Sequence, residues 1–211
     1  MPDARLAALA LALASTLPAA AHATADEAAR PALAVRIVGD SHVARLGPRI
    51  ERAVRDEGAV SLGYLSRRGW STGRYVRAND LVDRMTENGR PDVVVVSLGG
   101  NDRCASRAVY AAQLARVVAA AREAGATRVV WLGPAASDGE RSEYARHVAD
   151  WHERNADWQR ELLPAMGVEW IDSRPLTRGG HGADGIHFTP SGYDAWSARA
   201  LARVRLRDAA S

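Results

Sequence analysis

The 211-residue chain has no lysine: all 28 of its basic side chains are arginine. With so many alanines beside them, that absence looks like coding bias rather than a binding surface, and no cluster of arginines dominates. Nucleic-acid recognition would want a basic stripe or a known module. Neither is present, so no nucleic-acid partner is expected, and a net charge of +3 allows only weak attraction to acidic polymers or anionic surfaces. Cysteine is almost missing. Cys104 is the only one, which rules out a disulfide framework within the chain and leaves Cys104 as a small filler. Past the amino terminus no apolar run is long enough to span a membrane, and no internal repeat or low-complexity segment interrupts the pattern.

What is present is an ordinary globular composition, 47% hydrophobic and 25% charged, sufficient for one well-buried core. Residues 1–25 stand apart. Arg5 precedes an apolar run from Leu6 to Leu17, then come Pro18 and the small-residue sequence Ala21-His22-Ala23-Thr24-Ala25. That is the layout of a secretory signal peptide with cleavage after Ala23 or Ala25. The expectation is an exported mature chain, periplasmic or secreted, with residues 26–211 forming a single domain without stable membrane insertion and acting as a monomer.

The mature chain is organised around Val35-Arg36-Ile37-Val38-Gly39-Asp40-Ser41-His42, an apolar strand that stops abruptly in glycine, carboxylate and hydroxyl. A helix follows with Leu46, Ile50, Ala53 and Val54 on one face, and Pro48 suggests that it starts nearby. Ala59 to Leu65 offers a second strand, Ser66 to Tyr75 a loop, and Leu81, Val82 and Met85 a short helix. Val93 to Val96 is too continuously apolar for an exposed strand and reads as central and parallel. A helix over Ser106 to Ala124, a strand over Arg128 to Leu132, and a long helix with Tyr144, Val148, Trp151, Trp158 and Leu162 on its apolar face come next. Val168 to Ile171 is the fifth strand, and Thr189-Pro190 opens the last helix. Alternation of this kind predicts an α/β fold, a three-layer doubly wound sheet of about five parallel strands, flavodoxin-like, in the order 2-1-3-4-5.

Three polar motifs fall at strand ends or in the loop before the last helix: Gly39-Asp40-Ser41, Gly99-Gly100-Asn101-Asp102, and Asp184-Gly185-Ile186-His187. Parallel strands bring those ends to one edge, where hydroxyl, carboxamide, imidazole and carboxylate form the inventory that acyl transfer needs. These ordered blocks resemble those of the SGNH, or GDSL-type, hydrolases, although His42 stands where leucine is usual. The resemblance implies Ser41 as nucleophile, His187 as general base and then acid, and Asp184 as the group that orients the imidazole. It implies an oxyanion hole made by the backbone N–H groups of Ser41 and a second-block glycine, Gly73 with Gly69 as the alternate, and by the amide of Asn101. No metal or organic cofactor is required. The partner it implies is a small-molecule or glycan ester.

Other patterns compete. Gly69-Trp70-Ser71-Thr72-Gly73 matches a nucleophile elbow, but Ser66-Arg67-Arg68 separates it from the preceding strand. His181, Asp184 and His187 could hold a metal, though their loop is glycine-rich rather than helical. His147 and His152 read as surface or capping residues, and Asp40 and Asp102 as acceptors holding loops. Beyond the esterase expectation stand an acyltransferase using the same triad, a lipid or aryl esterase, and a glycan-binding scaffold without activity.

Overall fold

The computed structural model describes residues 32–104 and 106–204, so the signal peptide expected over residues 1–25 lies outside the described residues. Five strands, β1 (Ala34–Gly39), β2 (Val60–Ser66), β3 (Val93–Ser97), β4 (Arg128–Leu132) and β5 (Glu169–Ile171), form one sheet. Their order is β2-β1-β3-β4-β5, and every pairing is parallel. Six α-helices connect and cover them: α1 (Val43–Asp56), α2 (Thr72–Ala78), α3 (Leu81–Thr86), α4 (Arg107–Glu123), α5 (Glu143–Leu162) and α6 (Pro190–Val204).

The central strand shows why the sheet needs two covers. Val93 and Val95 face a core shared with Leu46, Ile50 and Val54 of α1 and Trp196 and Ala200 of α6. Val94 and Val96 face the opposite core, with Tyr75 of α2, Met85 of α3 and Leu114 and Val117 of α4. Alternate side chains of a strand point to opposite faces, so a run of four buried valines can exist only between two helical layers. Among the described residues, no helix is long and apolar enough to cross a membrane.

Two local expectations need correction. Helix α1 begins at Val43 and encloses Pro48. The stripe of Val43, Leu46, Ile50 and Val54 is buried and pulls the first turn into the core. The carbonyl of Ala44 loses its usual N–H partner to the proline ring, and Ala44 lines the cleft. The second correction is α2, which occupies the end of the segment expected to be a loop. Ser71 caps it, its hydroxyl accepting from the Arg74 N–H at 3.2 Å, and the buried carboxylate of Asp102 accepts from the N–H and hydroxyl of Thr72 at 2.8 and 2.6 Å. A seven-residue helix is marginal alone, and here a carboxylate from a distant loop holds its amino terminus.

Candidate active site

The carboxyl ends of β1 and β3 and the loop before α6 meet at one edge of the sheet. At the end of β1 the backbone passes so close to β3 that a Cβ on Gly39 would meet the Ser97 carbonyl oxygen and the Val43 side chain, so only glycine fits. The turn that follows is held from several sides. The Tyr75 hydroxyl and the Arg67 N–H donate to the Gly39 carbonyl at 2.6 and 2.9 Å, and the Ser66 hydroxyl donates to the Asp40 carbonyl at 2.7 Å. Ser41 is thereby presented on a braced turn rather than on a mobile loop.

Its Oγ lies 2.9 Å from Nε2 of His187, whose Nδ1 lies 2.7 Å from Oδ2 of Asp184. The other oxygen of Asp184 accepts the backbone N–H groups of Ile186 and His187 at 3.0 and 2.9 Å. One short loop thus folds carboxylate and imidazole against each other. Burial works against ionisation of Asp184, but the bonds from the His187 ring and the two backbone N–H groups outweigh it and hold its pKa below the ordinary carboxylate value. With Nδ1 donating to that carboxylate, Nε2 is left as an acceptor for the Ser41 proton.

Asn101 sits across the cleft. Its Nδ2 donates to Asp40 Oδ2 at 3.0 Å and, at a longer 3.3 Å, to the Trp70 carbonyl. The longer bond to Trp70 is the weaker of the two. Asp40 also accepts the His42 N–H at 3.0 Å. Burial pushes the Asp40 carboxyl up to about 7, against the pull of the His42 N–H, with the neighbouring Asp102 adding to the rise. Both aspartates hold loops, as their positions led us to expect.

The two candidates for the second-block glycine sit in different surroundings. Gly73 lies buried in the first turn of α2, packed on Gln113, next to Thr72, whose N–H and hydroxyl bond the Asp102 carboxylate. Gly69 lines the cleft beside Ser41 and Asn101 and has φ +68°, a left-handed conformation that favours glycine. Among the described residues, the N–H groups of Ser41 and Gly69 have no protein acceptor. Ser71, the rival nucleophile, spends its hydroxyl capping α2. His181 turns to the Ala136 carbonyl at 2.9 Å and packs on Phe188, so it does not converge with Asp184 and His187. Cys104 is half-buried, and burial together with the Asp102 charge pushes its thiol up to about 11, which suits an inert filler.

Helix α5 contributes most of what the sequence reading missed. Its buried face carries His152, Asn155 and Gln159 in place of tryptophans. Gln159 donates to the Leu98 carbonyl at 2.9 Å, Asn155 to those of Gly99 and Asp102 at 2.9 and 2.7 Å, and His152 Nε2 lies 2.9 Å from that of Gly100. Trp151, expected in the core, is half-buried and also donates to the Gly100 carbonyl, at 3.2 Å. Tyr144 is exposed at the mouth of the cleft, whereas Trp158 does pack against the core. Four carbonyls of the loop bearing Asn101 are therefore held by one helix, which positions that amide. The sequence signal is three hydrogen-bonding side chains at helical spacing on a stripe otherwise filled by Val148 and Ala156.

His42 is buried directly behind His187, with ring centroids 5.2 Å apart, against Phe188 and Trp196, and its Nδ1 lies 3.1 Å from the Tyr193 hydroxyl. Burial, reinforced by the neighbouring His187 and His152, lowers its pKa to about 3. In the unfolded chain the ring takes up a proton near 6.5. The stability of the neutral buried ring is therefore fully present above that pH and is lost as pH falls toward the folded value. Asp40, with its raised pKa, works in the opposite sense. A His42→Leu variant compared with wild type isolates the histidine. Between about pH 7 and pH 4.5 wild type should lose roughly 2–3 kcal/mol more stability than the variant, or about 5–10 °C of Tm. Equal acid sensitivity in thermal melts would show that His42 is not buried in its neutral form.

The chain matches the model of the GDSL-like lipase/acylhydrolase family over residues 37–195. No curated protein matches it. Among solved structures, a protein of Slackia heliotrinireducens assigned as an SGNH hydrolase superposes with a TM-score of 0.66 at 19% identity, covering 82% of this chain and 100% of its own. A carbohydrate acetylesterase from Sinorhizobium meliloti gives 0.64 at 15% identity, with 82% and 98% covered. An acetylxylan esterase from Geobacillus stearothermophilus gives 0.62 at 13% identity, with 82% and 94% covered. At such identities the structures share the fold, and the match spanning all three motifs assigns the lineage: this chain belongs to the GDSL-like lipase/acylhydrolase family, whose members are SGNH hydrolases acting on esters.

Proposed function

We propose that this protein is an exported serine esterase that hydrolyses short acyl esters, O-acetyl groups above all, on carbohydrates or small molecules through an acyl-enzyme. The observation that carries the reading is the continuous relay from Ser41 Oγ to His187 Nε2 at 2.9 Å and from His187 Nδ1 to Asp184 at 2.7 Å. Ser41 attacks the ester carbonyl as His187 removes its proton. The carbonyl oxygen, now negative, accepts from the Ser41 and Gly69 N–H groups and from the Asn101 amide. His187 then protonates the departing alcohol, and a water, deprotonated by the same imidazole, releases the acid and restores Ser41.

Two features support a short acyl group. The cavity that contains Asn101 and Gly69 is small, ≈ 220 Å³, and its apolar lining is confined to Tyr144, Val148 and Ile186. The acetylesterases among the structural neighbours support O-acetyl substrates. A series of nitrophenyl esters from acetyl to palmitoyl, together with acetate release from acetylated xylan, tests the reading. We expect kcat/KM to be highest for acetyl or propionyl and to fall by about tenfold or more for chains that outgrow the cavity. Preference for palmitoyl would replace this reading with a lipid esterase.

A further inference from the structure

The esterase reading leaves a second cavity without a role. It holds ≈ 320 Å³ and is lined by Ser41, Arg45, Arg68, His187, Phe188 and Tyr193, of which Ser41, Arg68 and His187 also line the first. Asn101 and Gly69 line only the first cavity. The tetrahedral centre on Ser41 carries an oxyanion, an acyl chain and the alcohol oxygen. The first cavity takes the oxyanion and the acyl chain, so the alcohol, which must be within reach of His187 to receive its proton, falls to the second.

The charge of this second cavity is one-sided. Arg45 comes from the first turn of α1 and Arg68 from the loop after β2, and both are exposed at the cleft. Among the described residues, neither guanidinium makes an ion pair or a side-chain hydrogen bond. Arginines beside them are engaged: Arg49 is held by Asp194 at 2.6 Å, and Arg67 by Asp80 at 2.5 Å while lying over the Trp70 ring. No carboxylate lines the cavity. Phe188 and Tyr193 give it an apolar floor, and the Tyr193 hydroxyl is already turned to His42. Two unpaired guanidinium forks above an apolar floor suit a ring that carries an anion, because each fork can offer paired N–H donors to a carboxylate or phosphate.

We infer that the alcohol portion of the substrate bears an anionic group, a carboxylate or a phosphate, bound by Arg45 and Arg68. This inference rests on the esterase reading, and the two can fail separately. The test compares methyl 4-acetoxybenzoate with its anionic counterpart 4-acetoxybenzoate and with 4-acetoxyphenyl phosphate, each kcat/KM divided by the ester's own rate of hydrolysis by hydroxide.

Wild type should prefer at least one anion over the neutral ester by about tenfold, mainly through KM, and raising the salt should erode the preference. The anion with the larger ratio identifies the source. In Arg45→Gln and Arg68→Gln the ratio should fall about threefold each, and toward one in the double variant. Turnover of the neutral ester with no preference for either anion, or a preference that survives the double substitution, would overturn the subsite and leave the esterase reading standing. Failure to hydrolyse any of the three would overturn the esterase reading and this inference with it.

Discussion

Replacing Ser41 by alanine is expected to lower kcat by about 10⁴–10⁶-fold and to abolish labelling by a fluorophosphonate, whereas Ser71→Ala should keep both turnover and label. The reason is geometric. Ser41 Oγ is 2.9 Å from an imidazole that is itself oriented by a carboxylate, while Ser71 Oγ accepts from the Arg74 N–H at the start of α2 and has no such base. Losing that cap should cost Ser71→Ala about 1 kcal/mol of stability, a change visible in a melt and not in the rate. Peptide mapping of the wild-type adduct should place the added mass on the segment containing Gly39-Asp40-Ser41. An adduct on Ser71 that survives Ser41→Ala would transfer the nucleophile to the glycine-rich loop, and a folded wild type that takes no label would favour a binding scaffold without activity.

The two serines also show what the sequence could and could not convey. Ser41 was legible because an apolar strand ending in glycine is a local pattern, and the strand order places that end beside Asn101. The choice between Gly69 and Gly73 was not legible, since both fit the spacing. Asp102 holds the start of α2 through the Thr72 N–H and hydroxyl, a contact between distant segments that no spacing encodes, and Gly73 lies buried there while Gly69 lines the cleft. The same contact made α2 a helix where a loop was expected.

Helix α5 shows a different failure. Apolar periodicity pointed to Trp151 and Tyr144 as core, but periodicity counts only the apolar residues of a stripe. The loop from Leu98 to Asp102 brings carbonyls into the interior, and buried carbonyls need donors. His152, Asn155 and Gln159 supply them, so the helix is rotated to bury amides and an imidazole, and Trp151 is left half-buried, bonded to the Gly100 carbonyl. Arg45 and Arg68 follow the same logic in reverse. Neither belongs to a cluster in the sequence, and the fold brings them together in one cavity.

Asp184→Asn should reduce kcat by about 10²–10⁴-fold while leaving Tm within a degree or two of wild type. Asparagine preserves the shape and can still accept backbone N–H bonds through its amide oxygen. Presenting its NH₂ group to His187 instead would favour the tautomer with the proton on Nε2, which cannot take the Ser41 proton. It also removes the negative charge that would stabilise the imidazolium formed as Ser41 attacks. The lower part of the range is the expected one, because the Asp184 side chain is 52% exposed and water shares in stabilising the charge. Stability should change little, since the carboxylate bonds only within its own loop, and the tie from that loop to α5, the Ser142 hydroxyl donating to the Asp184 carbonyl at 2.7 Å, uses backbone. The measurements that decide are kcat and Tm on the same preparation. A rate within tenfold of wild type would show that Asp184 does not control the imidazole. A protein that melts early would make its role that of a loop anchor, with the loss of rate following from the loss of structure.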